Sequence, residues 1–390
     1  MNELQSILAA WRQLGGDTSE AVLATVVHVK GSAYRRPGGR MLLLPDGQRI
    51  GTISGGCLEG DVARKAAWWT SNGESVVRTF DNSAPDVAWD FGLGCNGVIS
   101  LLIERLDTPA VRESLGFINR QQSTGQECAV ATVIRTDPGS PWRIGDRAWR
   151  SAAGEAGVSL ANSPNAAGLA DGLQAALQDR SSRLLHTATA DIFVEWIGLP
   201  QELVIFGAGH DVIPLVKFAS TLGWRITVAD NRSAYAHANR FPGAETVVTL
   251  PAGGDITGIV INSRTAVVVM THNYPQDVTL VPQILRRSPR YLGLLGPRRR
   301  AENLFRDMGL NITDVDTHAP VGLDIGCDHP ETIALSIVAE IQSVLSGRSS
   351  GSLRWREGAI HSAVRELGGA ELRSFSPGET TALTVCEAVA

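Results

Sequence analysis

The stretch QELVIFGAGHDVIPLVKFASTLGWRITVAD, residues 201–230, decides the fold of the C-terminal part of the chain. Its apolar run LVIF predicts a buried strand that ends at Gly207, and the apolar periodicity that follows predicts a helix over residues 211–222. A second strand, RITVAD, then ends in Asp230. This order makes a βαβ unit, which predicts a Rossmann-like, doubly wound parallel-sheet domain.

The turn Gly207-Ala208-Gly209 has the residue types of a nucleotide site. Two glycines let backbone N–H groups approach a phosphate, and Asp230 could accept hydrogen bonds from ribose hydroxyls, which favours an unphosphorylated 2′-hydroxyl. Val212 replaces the third glycine of the usual fingerprint, so we expect looser packing of helix on strand. His210 either reaches a bound phosphate or is a solvated residue at the helix start.

Three more apolar runs, ETVVTL, TAVVVMTH and YLGLLG, follow in order, with helices predicted around residues 278–287 and 298–308. This alternation predicts a mainly parallel sheet with helices on both faces. Loops at the carboxyl ends of such strands converge at the switch point of the sheet, where we expect His272 and Gly296. The arginines at 298–300 are either a solvated helix face or an anion contact.

Two of the five cysteines, Cys57 in SGGCLEG and Cys95 in GLGCNG, stand between glycines. The missing side chains would let a ligand approach the sulfur closely, and a packing cysteine needs no such clearance. The alternative is that the glycines only form tight turns beside small buried thiols. The occurrence of both motifs in one chain favours ligand-binding or reactive thiols.

The N-terminal part predicts a small α/β or α+β domain, because the β-rich runs AVLATVVHV, RMLLLP and GVISLLIERL surround one helical stretch. From residue 129, AVATVIRTDPGSPWRIGDR repeats the residue order of AVLATVVHVKGSAYRRPGGR, and DIFVEWI resembles VISLLIERL. We interpret the middle segment as a partly duplicated, degenerate β-rich copy without the glycine-cysteine motifs, and chance similarity of strand-turn-strand patterns is the equal alternative. The predicted domains are residues 1–110, 111–199 and 200–349, with a tail over 350–390.

Composition excludes several classes of protein. The 390 residues are 43% hydrophobic and 19% charged, with a formal net charge of −5, so we expect a globular protein with no nucleic-acid partner. No apolar run is long enough to cross a membrane, and the N-terminus lacks the features of a signal peptide. An odd number of cysteines without regular spacing then predicts reduced thiols and a cytoplasmic protein. Motifs of serine hydrolases, zincins, zinc fingers and P-loop NTPases are missing.

Eight motifs in one order closely resemble the XdhC/CoxI family of xanthine dehydrogenase accessory proteins. They are GSAYRRPGGRM, SGGCLEGDV and GLGCNGVISLLIE in the first part, and VIFGAGH, VADNR, VVMTHNYPQD, YLGLLGPRRR and APVGLDIG with HPETIALSIVAEI in the last. The resemblance implies a cytoplasmic factor that binds the molybdenum cofactor (molybdopterin), protects it during sulfuration of its metal and delivers it to an apo molybdenum hydroxylase. It also implies a cysteine desulfurase as partner and a homodimer.

The family pattern carries over to Ser54, Gly55, Gly56, Cys57 and Glu59, to Cys95, and to Gly207, Gly209 and His210. With this resemblance in view, Cys57 is the preferred thiolate, which could ligate molybdenum or hold a persulfide. Backbone N–H groups of both glycine turns, with Arg35, Arg36 or Arg40, could bind the cofactor phosphate. Glu59 could accept a proton or orient a pterin amine, or it could be a solvated carboxylate at a helix start.

A different class of function uses the same residues. In an NAD(P)-dependent oxidoreductase, the Rossmann-like domain would bind the dinucleotide, with Asp230 on the ribose, and Cys57 or His272 would be the catalytic group. The sequence offers no recognisable hydride-acceptor site for this alternative. A third interpretation is a docking module that keeps a nucleotide-like crevice without turnover.

Overall fold

The structure is a computed structural model that describes residues 3–15, 20–31, 33–56, 58–81, 97–158, 166–357, 360 and 365–368. Within it the chain forms two compact units. One contains residues 3–199 together with the strand at 365–368, and the other contains residues 200–360. Cys57 and Cys95 lie outside the described residues.

The first unit begins with a helix and a five-stranded antiparallel sheet. In chain order these elements are α1 (Glu3–Leu14), β1 (Val22–Gly31), β2 (Arg40–Leu43), β3 (Arg49–Gly51), α2 (Glu59–Trp69), β4 (Val76–Asp81) and β5 (Gly97–Arg105). The strand order is β3-β2-β1-β5-β4. Side chains from both faces of β1 are buried, which explains why VLATVV reads as a continuous run instead of alternating with polar residues.

The same arrangement occurs again over the next ninety or so residues. Its elements are α3 (Pro109–Ser123), β6 (Cys128–Thr136), β7 (Arg147–Ser151), β8 (Ala156–Val158), α4 (Ala166–Asp179), β9 (Arg183–His186) and β10 (Ala190–Ile197). The strand order β8-β7-β6-β10-β9 reproduces that of the first sheet, and β16 (Arg365–Gly368) pairs in parallel with β9 at its edge.

These two repeats confirm the predicted duplication and extend it to the helices. Both long antiparallel pairs carry an irregularity at the same place, because Val27 is the extra residue of β1 opposite β5, and Ile134 is the extra residue of β6 opposite β10. A chance likeness of strand patterns would not reproduce the strand order, the helix positions and the bulge together. Chance similarity, the equal alternative at the level of sequence, is therefore wrong.

Two buried ion pairs join the repeats reciprocally. Arg40 of the first repeat pairs with Glu195 of the second, and Arg147 of the second pairs with Glu104 of the first. Each guanidinium also donates to the carbonyl oxygen two residues before it, at Gly38 (2.9 Å) and Gly145 (3.2 Å) respectively. The charges compensate each other across the repeats, which is how four ionised groups are accommodated inside this unit.

The second unit is a parallel α/β sheet, as the opening stretch predicts. It contains β11 (Glu202–Phe206), α5 (Val212–Thr221), β12 (Arg225–Asp230), β13 (Thr246–Thr249), β14 (Thr265–Val269), α6 (Tyr274–Leu285), β15 (Tyr291–Leu294), α7 (Arg298–Asp307) and α8 (Pro330–Leu345). The order β13-β12-β11-β14-β15 is wholly parallel. Helices α5 and α8 pack on one face, and α6 and α7 on the other.

Helix α6 begins at Tyr274, four residues before the predicted start at 278. The Asn273 side chain accepts a hydrogen bond from the backbone N–H of Gln276 (3.2 Å), and Pro275 occupies the first turn. A side-chain cap followed by proline is a helix start that apolar periodicity alone misses. Across the described residues, none of the helices has the length and apolar character needed to cross a membrane.

Candidate functional site

The motif loops of the first repeat leave its sheet at one end. Gly31 at the end of β1 pairs with Gly97 at the start of β5, and β3 ends opposite the start of β2, with Met41 paired to Gly51. The segments 33–39 and 52–56 therefore extend from the same end of the sheet. The structure brings together Arg35, Ser54, Gly55 and Gly56 there, as the motif pattern expects; the roles of Cys57 and Cys95 stay predictions.

Glu59 and Ser54 lock the turn that precedes α2. The Glu59 carboxylate accepts hydrogen bonds from the backbone N–H groups of Ser54 (2.8 Å) and Ile53 (3.2 Å) and from the Ser54 hydroxyl. The Ser54 oxygen accepts in turn from the N–H groups of Gly56 and Leu58, each at 3.2 Å. The turn is thus held by side chains that the motif itself supplies.

Glu59 is buried, with 7% of the residue exposed, so it is not the solvated carboxylate that one interpretation of the sequence expected. Burial alone would raise the pKa of Glu59, but the hydrogen bonds from Ser54 and Ile53 outweigh it and lower the pKa below its ordinary value. Its contacts are those of a residue that fixes the turn. A role in proton transfer or in orienting a pterin remains a prediction.

Glu3 of α1 ties the two motif segments to each other. Its carboxylate accepts hydrogen bonds from the Arg35 guanidinium (2.5 Å) and the backbone N–H of Arg40 (2.9 Å) through Oε1, and from the backbone N–H of Thr52 (3.1 Å) through Oε2. Nothing in the local sequence predicts this contact, because Glu3 is distant in the chain from both segments. Arg35 keeps its predicted position beside the glycine turn, with one guanidinium N–H committed to Glu3.

Arg40 does not have the free guanidinium that phosphate binding requires. The residue is 8% exposed, and it donates to Glu195 Oε1 at 2.8 Å in the ion pair between the repeats. Burial favours the neutral form of Arg40, but the Glu195 carboxylate prevails and raises its pKa further. The contacts of Arg40 in this structure are therefore structural, and its role as a cofactor contact stays a prediction that this geometry does not favour.

Gly207 of the second unit is required by the fold itself. Gly207 has a φ of +120°, and a Cβ there would lie 2.3 Å from the Met270 carbonyl oxygen at the end of β14. A Cβ at Gly209 would lie 2.3 Å from the Asp211 carboxylate. The two strand ends approach closely at the switch point, as the sequence predicts, and Gly207 allows that approach whether or not a phosphate binds. The Asp211 carboxylate beside Gly209 belongs to a side chain that can move.

Asp230 lies at the expected end of β12, but its carboxylate oxygens already accept four hydrogen bonds from the protein. Its oxygens accept hydrogen bonds from the Ala208 N–H (2.8 Å), the Arg232 N–H (2.8 Å) and the Arg232 guanidinium (2.6 and 2.9 Å). Burial tends to raise the pKa of Asp230, yet these bonds lower it overall. To contact a ribose, Asp230 would have to release Arg232, so in this structure its contacts are structural. The ribose role stays a prediction that this geometry does not favour.

His210 and His272 both lie at the switch point, where the sequence expects them. His210 is exposed at the start of α5, and His272 Nε2 lies 2.7 Å from Asp211 Oδ2. His272 has a φ of +54°, which is uncommon for a residue with a Cβ. The His272–Asp211 contact was not foreseen, although Asp211 directly follows the GAGH motif.

Four residues at these sites were not singled out from the sequence: Glu3 and Asp211, described above, and Tyr34 and Arg240. Tyr34 stands beside Gly55 in the first unit, and Arg240 donates to the Ala208 carbonyl oxygen (2.6 Å) in the second. Tyr34 falls inside the motif GSAYRRPGGRM, so the motif could have drawn attention to it. Arg240 gives no such signal. In the described part of the chain, no group of three or more His, Cys, Asp or Glu side chains is arranged to hold a metal ion.

Models of known protein families match the sequence of both units. A model of the XdhC and CoxI family matches residues 17–81, and a model of the XdhC Rossmann domain matches residues 203–341. A Bacillus subtilis strain 168 protein, described as a probable subunit of xanthine dehydrogenase, is 34% identical over 332 residues, which is 83% of this chain and 93% of the relative. The chain belongs to the XdhC/CoxI family.

Other XdhC/CoxI relatives agree with this assignment. The "Molybdenum cofactor insertion chaperone PaoD" of Escherichia coli strain K12 is 24% identical over 329 residues, which is 83% of each chain. A crystal structure described as a xanthine dehydrogenase from Bacillus halodurans superposes with a TM-score of 0.74 at 27% identity, covering 90% of this chain and 98% of that one. The similarity thus extends over both units of this XdhC/CoxI protein.

Proposed function

We propose that this XdhC/CoxI protein binds the molybdenum cofactor as cargo, protects it while its terminal sulfido ligand is installed, and delivers it to an apo molybdenum hydroxylase of the xanthine dehydrogenase type. Family membership and the name of the PaoD relative support an accessory role in maturation of such enzymes. The observation that carries the proposal is the meeting of the motif segments 33–39 and 52–56 at one end of the first sheet.

The cargo is anionic and carries soft sulfur ligands around molybdenum, and the residues at this end suit both features. Gly56 has a φ of +117°, and among the described residues, its chain neighbours apart, no atom lies within 4 Å of where its Cβ would be, so this part of the turn leaves room beside the backbone. Arg35 brings a guanidinium beside the turn, partly exposed and paired on one side with Glu3. Cys57 follows in the motif, and a thiolate is a suitable ligand for a soft metal centre or a carrier of persulfide sulfur.

The proposed role also requires partners. Sulfuration needs a sulfur donor, and we propose that a cysteine desulfurase supplies it to the bound cofactor. We further propose that the protein is a cytoplasmic homodimer. An oxidoreductase that uses NAD(P) is the weaker candidate, because both oxygens of Asp230 are engaged by Ala208 and Arg232.

The test is equilibrium binding under anaerobic conditions, with molybdenum cofactor released from a purified hydroxylase and, in parallel, NAD. Wild type is compared with Cys57→Ser, and with Cys327→Ser as a matched cysteine control in the second unit. We expect the wild type and Cys327→Ser to retain the cofactor, Cys57→Ser to bind it more weakly, and only cofactor-loaded protein to restore activity to apo enzyme. NAD binding without cofactor binding would refute the proposal.

A further inference from the structure

Tyr34 is an exposed aromatic residue directly beside the glycine turn. The residue is 69% exposed, and a methyl group at Gly55 would lie 3.7 Å from its Cγ. At the next residue, Gly56, no atom of the described residues other than its chain neighbours lies within 4 Å of where a Cβ would be. One side of the ring therefore borders the backbone of the turn, and the described residues leave the space beside Gly56 open.

The contacts of Glu3 hold the Tyr34 segment and the turn in a fixed relation. Arg35, the next residue after Tyr34, donates to Glu3 Oε1, while the N–H of Thr52, two residues before Ser54, donates to Glu3 Oε2. The Ser54–Glu59 network then fixes the turn itself. A ring that is positioned before a ligand arrives loses less freedom on binding than one on a mobile loop.

We propose that Tyr34 is a stacking residue for the flat pterin ring of the cargo, with Glu3 and Arg35 as its positioning residues. A single exposed aromatic side chain is ordinary on a protein surface; this one differs because it adjoins the Gly55-Gly56 turn at the proposed cargo site. Aromatic rings stack on planar heterocycles in offset geometry, which needs one open ring face and little else. This inference rests on the proposed function.

The experiment compares wild type, Tyr34→Phe, Tyr34→Leu and Trp68→Leu. Trp68 is the matched control, because it is also an exposed aromatic residue of the first unit (72% exposed) but lies on α2, away from the glycine turn in sequence. Two probes are used anaerobically: the molybdenum cofactor, for binding, and pterin-6-carboxylate, whose fluorescence is quenched when its ring stacks on an aromatic side chain.

We expect Tyr34→Leu to bind the cofactor roughly tenfold more weakly and to lose the quenching, the size of effect that one stacking contact typically has. Tyr34→Phe keeps a ring, so it should bind and quench like wild type, and Trp68→Leu should be unchanged. Because Tyr34 is exposed, thermal unfolding of its variants should match wild type. If wild type binds the cofactor and Tyr34→Leu binds it equally well, the stacking role is wrong while the proposed function stands. If wild type binds no cofactor, the proposed function itself fails.

Discussion

Replacing Arg147 by Met should destabilise the first unit strongly, because it leaves a buried carboxylate without its counter-ion. Glu104 has a side chain that is 0% exposed, and Arg147 is 7% exposed. After the substitution, the hydroxyl of Ser75 (2.9 Å) would still donate to Glu104. One hydroxyl does not compensate for the loss of hydration of a full negative charge.

The expected cost is about 3–5 kcal/mol, the range found when one partner of a buried ion pair is removed. That is a large fraction of the roughly 5–15 kcal/mol by which domains are usually stable. The double variant Arg147→Met/Glu104→Met removes both charges and should recover most of the loss, since no buried charge remains in that pair. Arg120→Met is the matched control. Its pair with Glu155 is exposed on both sides (60% and 49%), so its loss should cost much less than the loss of the buried pair.

Urea unfolding of the full-length protein, followed by tryptophan fluorescence, measures these differences. Only Trp224 and Trp355 of the nine tryptophans belong to the second unit, so the signal reports mainly on the first. If Arg147→Met cost no more than Arg120→Met, or if the double variant were as unstable as the single one, the argument from an uncompensated buried charge would be refuted.

Three further changes test local features. The folded protein lowers the pKa of Glu59, so the stability that its carboxylate contributes is present above the ordinary pKa and is lost as pH falls through the lowered one. Glu59→Gln should therefore destabilise the first unit at neutral pH and make its stability depend less on pH in acid. Unfolding measured between pH 3 and pH 7 tests both effects. The hydrogen bond that His318 donates to the Glu340 carboxylate raises the pKa of His318. The stability that it contributes is present below about pH 6.5 and is lost as pH rises through the raised value, so His318→Asn should remove that dependence from the thermal midpoint. Burial, helped by nearby Glu195, raises the pKa of Cys128 to about 12, so iodoacetamide at pH 8 should leave this thiol unmodified until the protein is unfolded, as read by mass spectrometry.

The sequence predicts the second unit well because its signals are local. The run LVIF, the glycine turn and RITVAD each specify backbone conformation within a few residues, and α5 is found at Val212–Thr221, close to the predicted 211–222. Strand β16 shows the limit of such reasoning. It pairs with β9, far away in the chain, and its local sequence has only weak strand character.

The site residues divide in the same way. The spacing of the motif correctly places Asp230 at the end of its strand, but the Asp230 carboxylate pairs with the nearby Arg232. Spacing alone does not tell whether that carboxylate binds a ribose or a neighbouring side chain. Arg40 belongs to a motif, yet its partner Glu195 is 155 residues further along the chain and follows from the fold. Contacts set by tertiary structure are therefore the ones that motif-based reasoning assigns wrongly or misses.

The two repeats differ at the row of residues that follows the bulge. In the second repeat, Arg135, Asp191 and His186 face one another across three strands, with His186 Nδ1 2.8 Å and Arg135 Nε 2.5 Å from the Asp191 carboxylate. The corresponding row of the first repeat is His28, Ser100 and Thr79, in which the two hydroxyls lie 2.9 Å apart. The second repeat thus has a cluster of ionisable side chains where the first repeat has His28 and two hydroxyl groups.

This difference indicates that the two repeats have different roles. The first keeps the glycine motifs, whereas the second supplies Glu195, which holds Arg40 at the point where segment 33–39 enters β2. Losing that carboxylate would leave the Arg40 side chain with its hydrogen bond to the Gly38 carbonyl oxygen but without its ion pair. The Arg40 backbone N–H donates to Glu3, so the change would reach the contacts that Glu3 makes with segment 33–39. A Glu195→Gln variant should therefore loosen the Tyr34 segment and weaken cofactor binding, although no motif residue is substituted; hydrogen exchange of residues 33–40 measures the loosening, and unchanged exchange would contradict it.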